Sequence, residues 1–160
     1  MKVIKCIKKG ERFMEDQKTI KYLQVLTLKL GDDEYGIDIS KITTIIENNY
    51  SVTRVPGAPE YIQGVINLRG DIVPVMELRK KLKLAHAEDT EETKIIVVNV
   101  EDMMVGIKVD KVLEVIQLDR KSIDEISSAD DEEVKGYFMG LGKYNDRVII
   151  LINAEKLVKE

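Results

Sequence analysis

The sequence predicts an all-β fold with short helices, built as two small β-barrels that arise from an internal duplication and pack together. Three observations predict it. Apolar residues alternate or run continuously over short segments, turn-forming residues separate these segments, and the whole pattern occurs twice in the same order. A unit of about 60–70 residues is near the lower limit for independent stability, so we expect the two units to share apolar surface.

The composition is typical of a folded chain with a well-solvated surface. Of the 160 residues, 44% are apolar and 34% are charged, which provides for a buried core. The formal net charge of −4 argues against a protein whose main task is to hold nucleic acid, because phosphate binding relies on a concentrated basic face. With one cysteine, Cys6, and one histidine, His86, an internal disulfide and thiolate or paired-histidine metal sites are excluded.

The first half of the repeated unit is a strand, an acidic turn and a second strand that contains a glycine. Residues 23–42 have this pattern, and residues 95–112 repeat it, so that Gly36 falls on Gly106 and Ile42 on Val112. A glycine just inside a strand usually marks a bulge or a sharp barrel corner. We therefore predict that Gly36 and Gly106 are structural turn positions.

The second half of the unit repeats as well. Tyr61–Gly64 matches Tyr137–Gly140, and Ile72–Met76 matches Val148–Ile152. A single match between apolar strands would carry little weight. Two matches in the same order, with glycines in register, favour a duplication.

The repeat predicts how the chain is divided. The segments are a basic N-terminal extension at residues 1–20, a first β-barrel subdomain at 21–85, an acidic linker at 86–93, and a second β-barrel subdomain at 94–160 that ends in a helix capped by Asn153. No run approaches the ~20 apolar residues that cross a bilayer, and the N-terminal extension lacks the continuous apolar core of a secretory signal. We expect a cytoplasmic location and no direct membrane insertion.

The most distinctive segment is Val65-Ile66-Asn67-Leu68-Arg69-Gly70, which lies between two predicted strands. Asn67 and Gly70 are turn formers that tolerate left-handed backbone geometry, so Arg69 is predicted to project from a tight structural turn. A guanidinium group there can donate several directed hydrogen bonds to a partner's carboxylates or carbonyl groups. The alternative is that Arg69 braces its own loop.

Five segments resemble the CheW family of chemotaxis coupling proteins in order and spacing. They are Tyr35–Ile39, Val52–Pro59, Gly64–Gly70, Ile72–Val75 and Gly106–Val112. The resemblance runs from about Tyr22 to the carboxyl terminus, and the Asn-Leu-Arg-Gly segment is its most specific part.

The resemblance implies two interlocked five-stranded SH3-like barrels and a non-enzymatic adaptor. In that family, one face engages the regulatory domain of a chemotaxis histidine kinase, and a groove between the barrels takes the helical hairpin tip of a methyl-accepting chemoreceptor. The positions that match the family's receptor contacts are Ile39, Ile42, Ile45 and Arg69, and those that match its kinase contacts are Val52, Val55, Gly64 and Val65.

The adaptor role is physically coherent. An amphipathic receptor helix needs an apolar groove, which the three isoleucines would line, and Arg69 at the rim would set the register of the helix. The alternative for each isoleucine is ordinary core packing. One departure from the family is Thr44, where many members carry glutamate; the nearest acid here is Glu47.

No enzymatic site is visible in the sequence. There is no nucleophile–base–acid set, no phosphate-binding glycine loop and no calcium loop, so we expect no cofactor and no metal. The basic run Arg79–Lys83 is interpreted as a solvated helix face. Two alternatives stay open: a nucleic-acid-binding barrel that uses this run, and the adaptor-like regulatory domain of a kinase. The initial methionine and the capped last helix favour a complete protein over an excised domain.

Overall fold

The computed structural model describes residues 21–126 and 131–159, and within these ranges the chain is mostly β-strand with three short helices. The strands are β1 (Tyr22–Leu30), β2 (Asp33–Asp38), β3 (Ile42–Glu47), β4 (Ile62–Leu68), β5 (Asp71–Glu77), β6 (Lys94–Val100), β7 (Met103–Val109), β8 (Lys111–Asp119), β9 (Ile123–Asp124), β10 (Phe138–Tyr144) and β11 (Arg147–Ile152). The helices are α1 (Leu78–Lys81), α2 (Glu132–Lys135) and α3 (Ala154–Lys159). Two 3-10 turns, Ile39–Lys41 and Arg120–Ser122, lead out of β2 and β8.

The strands form two sheets. One has the order β8-β1-β2-β11-β10-β9, and the other has the order β3-β6-β7-β5-β4. Neighbouring strands pair antiparallel except for β2 with β11 and β5 with β7, which are parallel. Two packed sheets of this kind fit SH3-like barrels, so the predicted all-β fold with a short C-terminal helix is confirmed.

The pairing registers confirm the duplication. Gly36 in β2 lies opposite Leu151 in the parallel strand β11. Its sequence match Gly106 in β7 lies opposite Val75 in the parallel strand β5. Val75 and Leu151 are themselves matched positions of the two copies. The same contact therefore forms twice, once in each sheet.

Each sheet combines strands from both copies, and here the structure differs from the simplest division of the chain. β1 and β2 lie in the sheet that holds β8 to β11, and β6 and β7 lie in the sheet that holds β3 to β5. The sheets therefore do not follow the predicted subdomains at residues 21–85 and 94–160. The physical reason is the parallel pairing, since the last long strand of each copy pairs with the second strand of the other copy.

The turn prediction for Gly36 and Gly106 is wrong. Both glycines are buried within strands whose pairing continues without a register shift at that point. A Cβ atom on Gly106 would lie 2.8 Å from Ile95 Cγ2, and one on Gly36 would lie 3.1 Å from Ile149 Cγ2. The glycines make room for core side chains that pack across the strand.

The apolar residues form three clusters. The largest lies between the two sheets and includes Leu28, Ile96 and Leu157. One smaller cluster is formed by side chains of the six-stranded sheet around Ile149, and another is formed by side chains of the five-stranded sheet around Val97. The two units share apolar surface in the largest cluster, as the sequence predicts.

The C-terminal helix begins where the sequence predicts. Asn153 Oδ1 accepts a hydrogen bond of 3.2 Å from the Lys156 amide, which caps α3. The helix after β5 is short and covers only Leu78–Lys81. Lys83 has a positive φ of 59°, and this left-handed residue ends the helical stretch.

Candidate protein-binding surfaces

Arg69 projects from a two-residue turn between β4 and β5. Arg69 and Gly70 have φ values of 54° and 91°, which is the left-handed backbone of a type I′ hairpin turn. Asn67 Oδ1 accepts a hydrogen bond of 2.8 Å from the Gly70 amide and holds the turn closed. The Arg69 side chain is exposed, and no residue in the described ranges forms a hydrogen bond or ion pair with it. The bracing alternative therefore has no support from the described residues.

Ile42 and Ile45 point to the same face of β3. A register shift between Ile42 and Thr44 makes this possible, because it leaves Ile42 opposite Val98 and Ile45 opposite Ile96. Val98 and Ile96 both belong to the cluster between the sheets. Ile42 packs against that cluster, whereas Ile45 lies beyond its edge with 40% of its surface exposed.

Ile39 lies in the 3-10 turn that joins β2 to β3. Asp38 caps this turn by accepting a hydrogen bond of 2.9 Å from the Ser40 amide, and Ile39 is 37% exposed. The core-packing alternative thus holds in part for Ile42. Ile39 and Ile45 leave apolar surface open to solvent.

The second copy has matching residues that sequence reasoning missed. Val112 and Val115 in β8 lie opposite Leu28 and Leu26, two members of the cluster between the sheets. Val112 packs against that cluster, and Val115 is 46% exposed. The signal was available, because the match of Ile42 with Val112 also pairs Ile45 with Val115, three residues further on. The two copies therefore present similar apolar side chains from β3 and β8, beside one shared core.

Arg69 is not part of the same strand edge as the isoleucines. β3 and β4 are the two outer strands of the five-stranded sheet, and Arg69 follows β4. The structure groups the isoleucines with one another and leaves Arg69 on a separate turn of the same sheet.

The residues matched to kinase contacts lie together at β4. Val65 and Thr53 exchange two backbone hydrogen bonds, of 2.9 and 2.8 Å, and this isolated bridge places the segment around Val52 against β4. Gly64 is buried beneath it, and a Cβ atom at this position would lie 2.3 Å from Thr53 O and 2.7 Å from Val52 Cγ1. The absence of a side chain at Gly64 is what lets the segment approach.

Val55 is the exposed member of this group. Val52 is half-buried against the cluster in the five-stranded sheet, whereas 44% of Val55 is exposed. Val55 also borders a groove of about 580 Å³, whose other lining residues include Arg54, Glu60 and Gln63. An exposed apolar side chain with charged neighbours is a common composition for a protein contact.

The acid nearest to Thr44 has a partner within the chain. Glu47 Oε1 lies 3.3 Å from Lys94 Nζ across the β3–β6 pair. Its carboxylate is 65% exposed, so the ion pair is weak and remains accessible to solvent.

The basic run Arg79–Lys83 is only in part the solvated helix face that the sequence predicts. Arg79 Nε donates a 2.9 Å hydrogen bond to Asp110 Oδ1, and this contact holds the pKa of the Asp110 carboxyl below its ordinary value. Lys83 Nζ lies 2.9 Å from Asp131 Oδ2, and the hydrogen bond raises the pKa of Lys83. Lys81 is buried.

The described residues contain no group of three or more acidic, histidine or cysteine side chains that could hold a metal ion. Among the same residues, no helix is long and apolar enough to cross a membrane. His86 is exposed beside Glu88, as expected for a linker residue. Cys6 and the rest of the predicted N-terminal extension at residues 1–20 lie outside the described ranges.

Comparison with known proteins identifies relatives of the whole fold. The model of the CheW-like domain matches residues 24–160. Chemotaxis protein CheW of Klebsiella aerogenes is 38% identical over 135 residues, which cover 84% of this chain and 81% of that protein. Chemotaxis protein CheW of Thermotoga maritima is 33% identical over 141 residues, which cover 88% and 91%. The crystal structure of the scaffolding protein TtCheW from Thermoanaerobacter tengcongensis is similar, with a TM-score of 0.78, 30% identity, and coverage of 88% and 94%.

Proposed function

Because this chain belongs to the CheW-like family, whose proteins are non-enzymatic scaffolds, we propose that it couples chemoreceptor tips to a histidine kinase. The observation that carries the proposal is the set of apolar side chains that β3 and β8 leave exposed beside one shared core. The relatives described above are chemotaxis and scaffolding proteins by name. The kinase would be bound through its regulatory domain.

The receptor surface in this proposal is the strip of Ile39, Ile42 and Ile45, whose counterparts in the second copy are Val112 and Val115. An amphipathic helix binds by laying its apolar face on such a strip. The partly exposed members supply area that the fold itself does not bury. Arg69 would contact the same partner from its separate turn, and its role is orientation more than affinity.

The kinase surface in this proposal is the group at β4, with Val55 as the apolar anchor. Gly64 and Val65 place the neighbouring segment through the backbone bridge to Thr53. Val52 supports that segment from below. Val55 then projects beside a groove with polar walls, and anchors of this type usually contribute most of the binding energy of a contact.

Within the described ranges, nothing favours a nucleic-acid-binding function. It required a free basic run, and Arg79, Lys83 and Lys81 are paired or buried. The regulatory domain of a kinase is also disfavoured, since the relatives that this chain covers over 81–91% of their length are CheW proteins. We propose a cytoplasmic location at the receptor array, reached through these partners.

Direct binding tests the proposal. The full chain is titrated calorimetrically with the regulatory domains of plausible cognate chemotaxis kinases at moderate salt, and we expect a dissociation constant in the micromolar range. Val55→Asp should weaken binding about tenfold or more. Met103→Asp is the matched control, because Met103 is similarly exposed, at 47%, on another strand of the same sheet.

Absence of binding to every cognate domain would refute kinase coupling. Equal affinity for the wild type and for Val55→Asp would leave coupling intact and reject the proposed kinase surface. RNA binding that persists at physiological salt would instead support the nucleic-acid alternative.

A further inference from the structure

Lys81 is a buried cation in a region where the rest of the packing is apolar. Only 5% of the residue is exposed, and it lies in α1 between Leu78 and Leu82, which are both buried. No carboxylate of the described residues lies within ion-pair distance of its ammonium group. Removing an ammonium group from water is costly, so the interactions that the group does make have structural weight.

Those interactions are with two tyrosine rings. Lys81 Nζ lies 4.0 Å from the centroid of the Tyr61 ring and 4.9 Å from the centroid of the Tyr137 ring. Both distances are within the range of a cation–π interaction, and such contacts strengthen when the cation is removed from water. The electron-rich ring faces take the place of a carboxylate.

The two tyrosines are matched positions of the duplication. The Tyr61 carbonyl oxygen accepts a 2.8 Å hydrogen bond from the Glu77 amide, and the Tyr137 carbonyl oxygen accepts a 2.7 Å bond from the Asn153 amide. Each tyrosine thus joins the start of one strand to the start of the following helix, β4 to α1 and β10 to α3. β4 belongs to the five-stranded sheet and β10 to the six-stranded sheet.

The lysine is where the two copies differ. Lys81 lies four residues after Glu77, and the matching position four residues after Asn153 is Leu157, which is fully buried. One copy has an aliphatic side chain at this position, and the other has a cation that reaches a tyrosine of each copy. A leucine could fill the space, but it could not interact electrostatically with both rings.

We propose that Lys81, Tyr61 and Tyr137 form an inter-barrel clasp that fixes the placement of the two barrels relative to each other. The inference goes beyond partner binding, because it concerns how the duplicated halves are held together. The clasp borders the apolar cluster between the sheets, against which Tyr61 packs and to which Tyr137 belongs.

A double-mutant cycle tests the interaction. The urea unfolding constant is measured for the wild type, Lys81→Met, Tyr137→Leu and the double variant. Lys81→Met alone decides nothing, since replacing a buried charge with an apolar group can change stability in either direction. The decisive quantity is the coupling between the two side chains. We expect the factor by which Lys81→Met changes the unfolding constant to differ about tenfold between the wild-type and the Tyr137→Leu backgrounds. In Tyr137→Phe, which keeps a ring, Lys81→Met should act as it does in the wild type.

A distance measurement tests the placement of the barrels and needs no tyrosine substitution. Spin labels are attached at two exposed positions in a Cys6→Ser background. One is Asn99→Cys in β6 of the five-stranded sheet, and the other is Lys121→Cys in the 3-10 turn that follows β8 of the six-stranded sheet. We expect one narrow distance distribution for the parent and for Lys81→Arg, which keeps the cation. For Lys81→Met the distribution should broaden or shift. Either an additive cycle or an unchanged distribution in Lys81→Met contradicts the clasp.

Discussion

Arg69 occupies the first central position of a type I′ turn with a φ of 54°, a conformation that costs a non-glycine residue roughly 1 kcal/mol. Glycine or asparagine would adopt it with less strain, and the matching turn of the second copy has Asn145 at a φ of 55°. None of the described residues binds the Arg69 side chain. The turn therefore presents a guanidinium group where the fold alone would favour a different residue, which supports a role toward a partner.

Replacing Arg69 separates a recognition role from a structural one. Because the side chain is exposed and unpaired among the described residues, Arg69→Ala should change the free energy of unfolding by less than about 0.5 kcal/mol. The affinity of the Arg69→Ala variant for a receptor tip should fall about tenfold. Calorimetry for binding and thermal melting for stability measure the two effects. Arg120→Ala, at an exposed arginine in the 3-10 turn after β8, should leave both unchanged. A collapse of the melting temperature in Arg69→Ala would favour the bracing alternative.

Gly64 is the position at which one added methyl group has the largest predicted effect. A Cβ atom 2.3 Å from Thr53 O forces the segment away from β4, so we expect Gly64→Ala to lower the free energy of unfolding by about 3 kcal/mol. Gly57→Ala is the matched control, because Gly57 has a positive φ but nothing within 4 Å of its Cβ position. Gly57→Ala should lower the free energy of unfolding by about 1 kcal/mol, measured by urea unfolding. Equal losses would show that the contact is not the cause.

The elements of the two copies are joined by polar contacts as well as by the core. Asp110, at the junction of β7 and β8, accepts hydrogen bonds from Arg79 in the helical segment α1 and from the amide of Gly31 in the β1–β2 turn. One carboxylate thus joins elements of both sheets. The contact with Arg79 lowers the pKa of Asp110, which means that the ionised form is the one that stabilises the fold.

The sign of this pKa change predicts a pH dependence. The unfolded-state pKa of aspartate is about 3.9, and the folded-state value lies below it, so the stabilisation is complete above about pH 4 to 5 and is lost as the pH falls through the folded value. Asp110→Asn should lower the free energy of unfolding by about 1 kcal/mol at pH 7 and by much less near pH 3. Urea unfolding at both pH values measures this, with the exposed Asp32→Asn as control. A loss that is the same at both pH values would contradict the argument.

At the scale of the whole molecule, the exchange of strands makes the two sheets interdependent. β1 and β2 complete a sheet whose other strands come from residues 111–152, while β6 and β7 complete the sheet of β3 to β5. A barrel cannot form from either copy alone in this arrangement, because each would lose two strands and the cluster between the sheets. Unfolding is therefore expected to be a single cooperative transition.

Cutting the chain in the linker tests this interdependence. Fragments 1–85 and 86–160 should each lack cooperative unfolding by circular dichroism, since each lacks two strands of the sheets that it would form. Mixed at equal concentration, they should recover the spectrum and a cooperative melt of the intact chain. The intact chain with a cleavage site inserted at residues 86–93 serves as the control before and after cutting. Cooperative folding of one fragment alone would contradict the interlocked arrangement.

Local patterns predicted much of the fold correctly. The continuous apolar runs became buried strands, Asn153 caps α3, and the matched glycines pair at matched positions of the two copies. The failures share one cause. Gly36 and Gly106 were predicted to be turns, and Lys81 was predicted to be solvated, because nothing local shows which side chains arrive from a distant strand. The match of Lys81 with Leu157 was the available signal for its burial.

The sequence by itself determined the class of fold, the duplication and the membership in the CheW-like family, since these follow from periodicity and from the order of short motifs. Only the tertiary structure decided which strands share a sheet, which isoleucines remain exposed and which cations are neutralised. The physical reason is that strand pairing across the chain is set by packing between residues far apart in sequence. The same residue type is core, contact surface or clasp depending on what that packing places beside it.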